Sequence, residues 1–142
     1  MANAKFNPAR AGFLAGEIDW DTATIRAALV RGYTFNADHK FVSQVTGAGG
    51  VLHAVSAPLA SKTTTAGAAD AADVVWTAPA SNASPHSVLI YQSSAVTGGD
   101  DVSPAEQRLI CWFDTGTNVP ITLNGGDVGF QWDNGANKIF RI

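Results

Sequence analysis

The sequence predicts an all-β protein: an antiparallel sandwich or barrel of seven or eight short strands, with one or two short helices in the N-terminal third. Short apolar segments rich in Val, Ile, Leu and Trp recur along the chain, each bounded by turn residues. Fourteen glycines and six prolines, spread throughout, supply that punctuation. No strand–helix–strand spacing of the parallel α/β type occurs, which disfavours nucleotide-binding α/β folds. The 142 residues fit one domain spanning 1–142.

In chain order, residues 1–6 form a polar lead-in, expected as an extended N-terminal arm. Asn7 is placed to cap a helix over Ala9 to Ala15, with Pro8 at its first position and Gly16 closing it. Thr24 to Val30 reads as a strand with partly broken alternation. Asn36 could cap a second helix, Ala37 to Val45, with Phe41, Val42 and Val45 on one face. Further strands are expected at Val51–Ala57, Asp73–Thr77, Ser87–Gln92, Arg108–Asp114, Asp127–Trp132 and Lys138–Ile142. Ser61 to Ala72 reads as a weak strand plus a turn, or as an extended connection. Asn134-Gly135 suggests a tight hairpin across Trp132 to Lys138. In the last segment Ile139 and Phe140 are expected on opposite faces. If Phe140 is core, its truncation should cost about 3–5 kcal/mol.

Hydrophobic residues make up 46% of the chain, enough for a core, whereas charged residues are only 15%. An average soluble protein carries about 25% charged residues. Such an exterior is expected to be partly covered by other protein. Surface scaling gives roughly 7,000 Å² for a monomer of this size. Two or three interfaces of about 800 Å² per partner would cover a quarter to a third of it. The net charge of −3 and the absence of any basic run give no footprint for nucleic acid. No apolar run is long enough to span a membrane. Met1 to Arg10 shows no signal-peptide core, so synthesis in a reducing compartment is expected. A single cysteine, Cys111, excludes an internal disulfide framework.

Several motifs invite chemistry and have plainer readings. Asp114-Thr115-Gly116 follows an apolar strand as in aspartic proteases, but it occurs once, and that chemistry needs two aspartates sharing a proton. A strand end turned by Thr-Gly is the simpler reading. His39, His53 and His86 lack the spacing of a metal site. Asp19-x-Asp21 begins like a calcium loop but lacks its later ligands, and Asp100-Asp101 reads as a solvated acidic turn, with a calcium site assembled from separate loops as the alternative. There is no Gly-x-Ser-x-Gly elbow, and Gly47 to Gly50 lacks the Lys of a phosphate loop. Cys111, mid-strand, reads as an inert buried thiol. The sequon at Asn82 matters only in a secreted eukaryotic protein. Trp76, Trp112 and Trp132 fall in strands, where core packing is the default, which leaves Trp20 as the candidate for a sugar-stacking surface. No catalytic, cofactor-binding or metal-binding residue is therefore assigned, and no cofactor is expected.

The two ends of the chain carry a resemblance. Phe13-Leu14-Ala15-Gly16-Glu17-Ile18-Asp19-Trp20-Asp21 leads into Thr24 to Val30, and Pro120 to Val128 precedes Trp132-Asp133-Asn134-Gly135-Ala136-Asn137-Lys138-Ile139-Phe140. With Ala68 to Val75 and Leu89-Ile90-Tyr91 between them, the chain resembles the capsid cement, or decoration, proteins of short-tailed bacteriophages. That resemblance implies a jelly-roll-like sandwich on the outer surface of the virion. It implies binding to the major capsid protein, self-association as a dimer or other small homo-oligomer, and assembly in the host cytoplasm. Neither catalysis nor membrane binding is implied. A tail, neck or head-fibre protein, or a β-sandwich carbohydrate-binding module, is the alternative. Cement binds the assembled lattice better than its free subunits. Exposed strand edges and the segment Met1 to Phe6 are the expected connectors.

Overall fold

The computed structural model describes residues 3–115 and 119–142. Its elements, in order, are β1 (Ala4–Lys5), α1 (Asn7–Ala15), β2 (Ile25–Arg31), α2 (Val42–Gly47), β3 (Val51–Val55), β4 (Ala68–Ala69), β5 (Val74–Trp76) and β6 (Asn82–Gln92). They continue with β7 (Ser94–Ala95), β8 (Gly98–Asp101), β9 (Arg108–Phe113), β10 (Ile121–Leu123), β11 (Val128–Phe130) and β12 (Phe140–Arg141). The protein is all-β and antiparallel with two short helices, both where the N-terminal third was expected to hold them. Twelve strands occur among the described residues, more than the seven or eight expected, because several are pairs of only two or three residues.

The main sheet runs β1-β9-β6-β2-β3, with β10 also paired to β6. Its centre explains the broken alternation in the sequence. Ile25, Ala27 to Val30, Val88 to Tyr91 and Leu109 to Trp112 are all buried, so neighbours pointing to opposite faces are both apolar. A strand reads this way when both of its faces are covered. Burying each large aliphatic side chain contributes about 1.5–3 kcal/mol. Three two-stranded pairs complete the architecture: β5 with β11, β4 with β12, and β7 with β8. The total accessible surface, 6806 Å², is that of an ordinary compact chain of this length.

The lead-in is extended but is not a separable arm. Ala4 and Lys5 pair with Trp112 and Cys111 at the edge of the sheet. Phe6 is fully buried, donates its N–H to the Ile110 carbonyl at 3.0 Å, and packs against Phe35 with ring centroids 5.0 Å apart. Asn3 accepts the backbone N–H groups of Asp114 and Thr115. Residues 1 and 2 lie outside the described residues.

Both helices start differently from expectation. Phe6, not Asn7, holds the N-cap position of α1, and Asn7 instead donates its side-chain amide to Asp38 at 2.8 Å. Gly16 closes α1 in the left-handed region at φ 72°, as its type predicts. α2 starts at Val42 because Lys40 and Phe41 are held extended: the Lys40 carbonyl accepts the Leu109 N–H, and Phe41 bridges to Arg108. Gln44 then reaches back to accept the N–H groups of Lys40 and Phe41. Asn36 caps only a local turn, by accepting the Asp38 N–H.

The expected hairpin at Asn134-Gly135 does not form. β11 pairs with β5 and β12 with β4, so the strands on either side of that turn do not pair with each other. Gly135 does not take up a positive φ there; its N–H goes to the Asp133 carboxylate instead. Nor do Ile139 and Phe140 divide between core and solvent, since both are 6% exposed. Phe140 meets Trp20 edge-on, with centroids 5.2 Å apart, and Phe13 at 5.6 Å.

Truncating either anchoring ring therefore tests the fold. Phe6→Ala and Phe140→Ala should each lower the unfolding free energy by about 3–5 kcal/mol in urea titrations. A loss below about 1 kcal/mol at Phe6 would return the lead-in to the status of a free arm.

Candidate interaction surface

The residues singled out in the sequence are mostly spent on structure. Asp114 accepts the Trp112 indole N–H at 3.3 Å and is half-buried; Gly116 and Thr117 lie outside the described residues. Asp19 turns its carboxylate onto its own backbone, accepting the N–H groups of Asp21 at 2.9 Å and Thr22 at 3.1 Å. Hydrogen bonds from Thr22, above all, hold that carboxyl below its usual range. Asp101 pairs with Arg26 at 3.2 Å. His39 meets the Tyr33 hydroxyl at 3.0 Å, and His53 and His86 stack edge-on at 5.0 Å. No group of three or more His, Cys, Asp or Glu is placed to hold a metal among the described residues. Cys111 is buried, and desolvation pushes its thiol well above the ordinary range.

Trp20 is not a surface residue. It is 4% exposed, and its indole N–H donates to the Asp70 carbonyl at 3.2 Å. Trp76, Trp112 and Trp132 are equally buried, and each indole N–H has a partner: Ala27, Asp114 and Ala72 respectively. None of the four offers a free face for stacking on a sugar.

The buried polar side chains finish the main sheet. Gln92 accepts the Asp19 N–H at 3.0 Å and donates to the Glu17 carbonyl at 3.1 Å. Ser56 and Ser94 accept the N–H groups of Ala27 and Thr24 at 3.0 Å and 2.9 Å. Arg108 pairs with Glu17 and stacks on Phe41 at 5.5 Å. Gln92, Ser56 and Ser94 thereby satisfy backbone that would otherwise be buried unpaired.

The exposed large apolar residues fall in two places. The first is the β3 edge. β3 pairs only with β2, and among the described residues none of its backbone groups bonds beyond that ladder. Val51 is 38% exposed and Val55 46%; beyond Val55 a groove between residues 56–60 and 72–75 brings in Val75, which is 59% exposed. The sequence has no Asp, Glu, Lys or Arg between Lys40 and Lys62, nor between Asp73 and Asp100. Those two runs supply this edge and, apart from Ala72 and Asp73, the lining of its groove, and they are the signal by which the surface could have been found. The second place is α1 and the C-terminal strand, where Leu14 is 86% and Ile142 62% exposed; Ile142 lines a cleft of about 300 Å³ between α1, β4 and β12.

Comparison with protein-family models, with curated proteins and with solved structures finds no match for this chain. No helix among the described residues is long and apolar enough to cross a membrane.

His86 supplies a pH test of this packing. It is fully buried, its Nδ1 faces the Ile121 carbonyl at 3.2 Å, and burial, reinforced by His53 and Arg31, lowers its pKa. Nδ1 must therefore carry the proton of a neutral ring. The unfolded chain protonates this histidine near pH 6.5 while the folded one does not. Stability is then complete above that pH and falls as the pH drops below it. His86→Gln should flatten the decline in melting temperature between pH 7.5 and 5.5, and an unchanged slope would refute the assignment.

Proposed function

We propose that this protein is a non-catalytic structural component of a virion, which adheres to the outside of a tailed-phage head and stabilises the lattice of its major capsid protein. The observation that carries the reading is the uncharged sheet edge at β3, flanked by exposed Val51, Val55 and Val75. An open edge offers backbone hydrogen bonds to an incoming strand, and uncharged flanks remove the usual barrier to that pairing. Each hydrogen bond contributes about 0.5–1.5 kcal/mol net. A modest single contact suffices, because a copy bridging two capsid subunits engages the second at high effective concentration. The low overall charge and the resemblance of both chain ends to capsid cement proteins support the same reading. A jelly-roll-like arrangement of the sheets and self-association into a small homo-oligomer belong to it as well.

Reconstitution tests the proposal. Purified protein added to undecorated capsids should bind to saturation and raise their rupture temperature. Val55→Lys, a charge at an exposed edge position, should weaken binding at least about tenfold while leaving the melting temperature of the free protein unchanged. Capsids indifferent to the wild-type protein would overturn the proposal. Binding of a few copies at one vertex would move it to the neck or tail.

A further inference from the structure

The cleft between α1, β4 and β12 shares no residue with the β3 edge or its groove. Phe13, Ile18, Trp20 and Phe140 give it large apolar lining, and Gly16, Gly67, Ala68 and Ala69 line it with little side chain. Nothing of the chain's own reaches in to fill it, and two of the lining rings are fixed. Trp20 is tied to Asp70, and Phe140 packs against it edge-on while pairing in register with Ala69. A volume of about 300 Å³ takes one large apolar side chain with room for its backbone. Ile142, 62% exposed, lines the cleft.

The other side of the rim is acidic. Asp19 and Asp21 both line the cleft. Asp19 is held in its ionised form by the Thr22 hydrogen bonds. Lys62, the cation that acts on both carboxylates, directs its ammonium to the Ala23 carbonyl and offsets only one of the two charges. An apolar hole beside a net negative rim is complementary to an apolar group adjoining a positive one.

We propose that this cleft docks a peptide segment of a partner protein, which inserts one large apolar side chain and presents an adjoining Lys or Arg to Asp19 and Asp21. The inference rests on the adhesive reading above and deepens it by naming the chemistry of the partner segment. It concerns a different surface, so the two can fail separately.

The probes are three capped pentapeptides with the central sequences Lys-Phe-Lys, Glu-Phe-Glu and Lys-Ala-Lys between glycines, titrated into the full chain. The readout is the Trp20 indole N–H resonance, assigned by its loss in Trp20→Phe. Lys-Phe-Lys should shift that resonance in a saturable way, and the other two should bind at least about tenfold more weakly. Asp21→Lys, at an exposed position, should reverse the preference between the Lys and Glu peptides, with unchanged melting temperature as the control for folding. No shift with any peptide, or equal binding of all three, would overturn the proposal. So would Lys-Ala-Lys binding as well as Lys-Phe-Lys, because attraction would then be charge alone. Peptide discrimination without capsid binding would fault only the shell reading, and capsid binding without discrimination only the cleft.

Discussion

The structure depends on a central strand with no polar side. Along β6, Val88, Leu89, Ile90 and Tyr91 are consecutive and all buried, held between β2 and β9 in antiparallel register. A strand of this kind cannot rest with one face in water, so the chain must cover it twice. That requirement accounts for elements that look unnecessary in isolation. The lead-in closes the β9 edge and sinks Phe6, and the Trp76 indole bonds to Ala27 of β2. Gln92 and Ser94 complete hydrogen bonds where the ladder ends.

Covering two faces consumes nearly all of the aromatic payload. All four tryptophans and Phe6 and Phe140 go into packing, and the large apolar side chains left exposed are Leu14, Val51, Val55, Val75 and Ile142. The proposed function rests on what packing leaves over: an unpaired edge, a few exposed valines and a cleft. Such surfaces suit adhesion, where many modest contacts add up, better than chemistry, which needs converging polar groups held in a pocket.

Much of the local structure was legible because it rests on local physics. Pro8 and Gly16 mark α1 through fixed φ and left-handed φ respectively, and the apolar runs mark β2, β6 and β9. The errors share one cause. Asn7 looks like a cap, but Asp38 claims its side chain; Asn134-Gly135 looks like a hairpin turn, but its flanking strands find other partners. The 37–41 segment has helical composition, yet the start of β9 holds its end extended. Trp20 sits between two aspartates, yet its ring turns inward to Phe140 and Asp70. In each case a residue distant in the chain outbids a neighbour.

The amino-acid sequence by itself determined the class of the protein, its longer strands and its shortage of charge, because burial patterns and composition are properties of the chain read in order. Only the tertiary structure decided which apolar residues stay outside. Val55 and Val88 are chemically identical, and the difference between them is that β3 pairs with one strand and lies at the sheet edge, whereas Val88 of β6 lies between β2 and β9. Pairings such as Lys5 with Cys111 or Arg141 with Ala68 join residues far apart in the sequence, so the edges and the cleft they leave behind exist only once the chain has closed on itself.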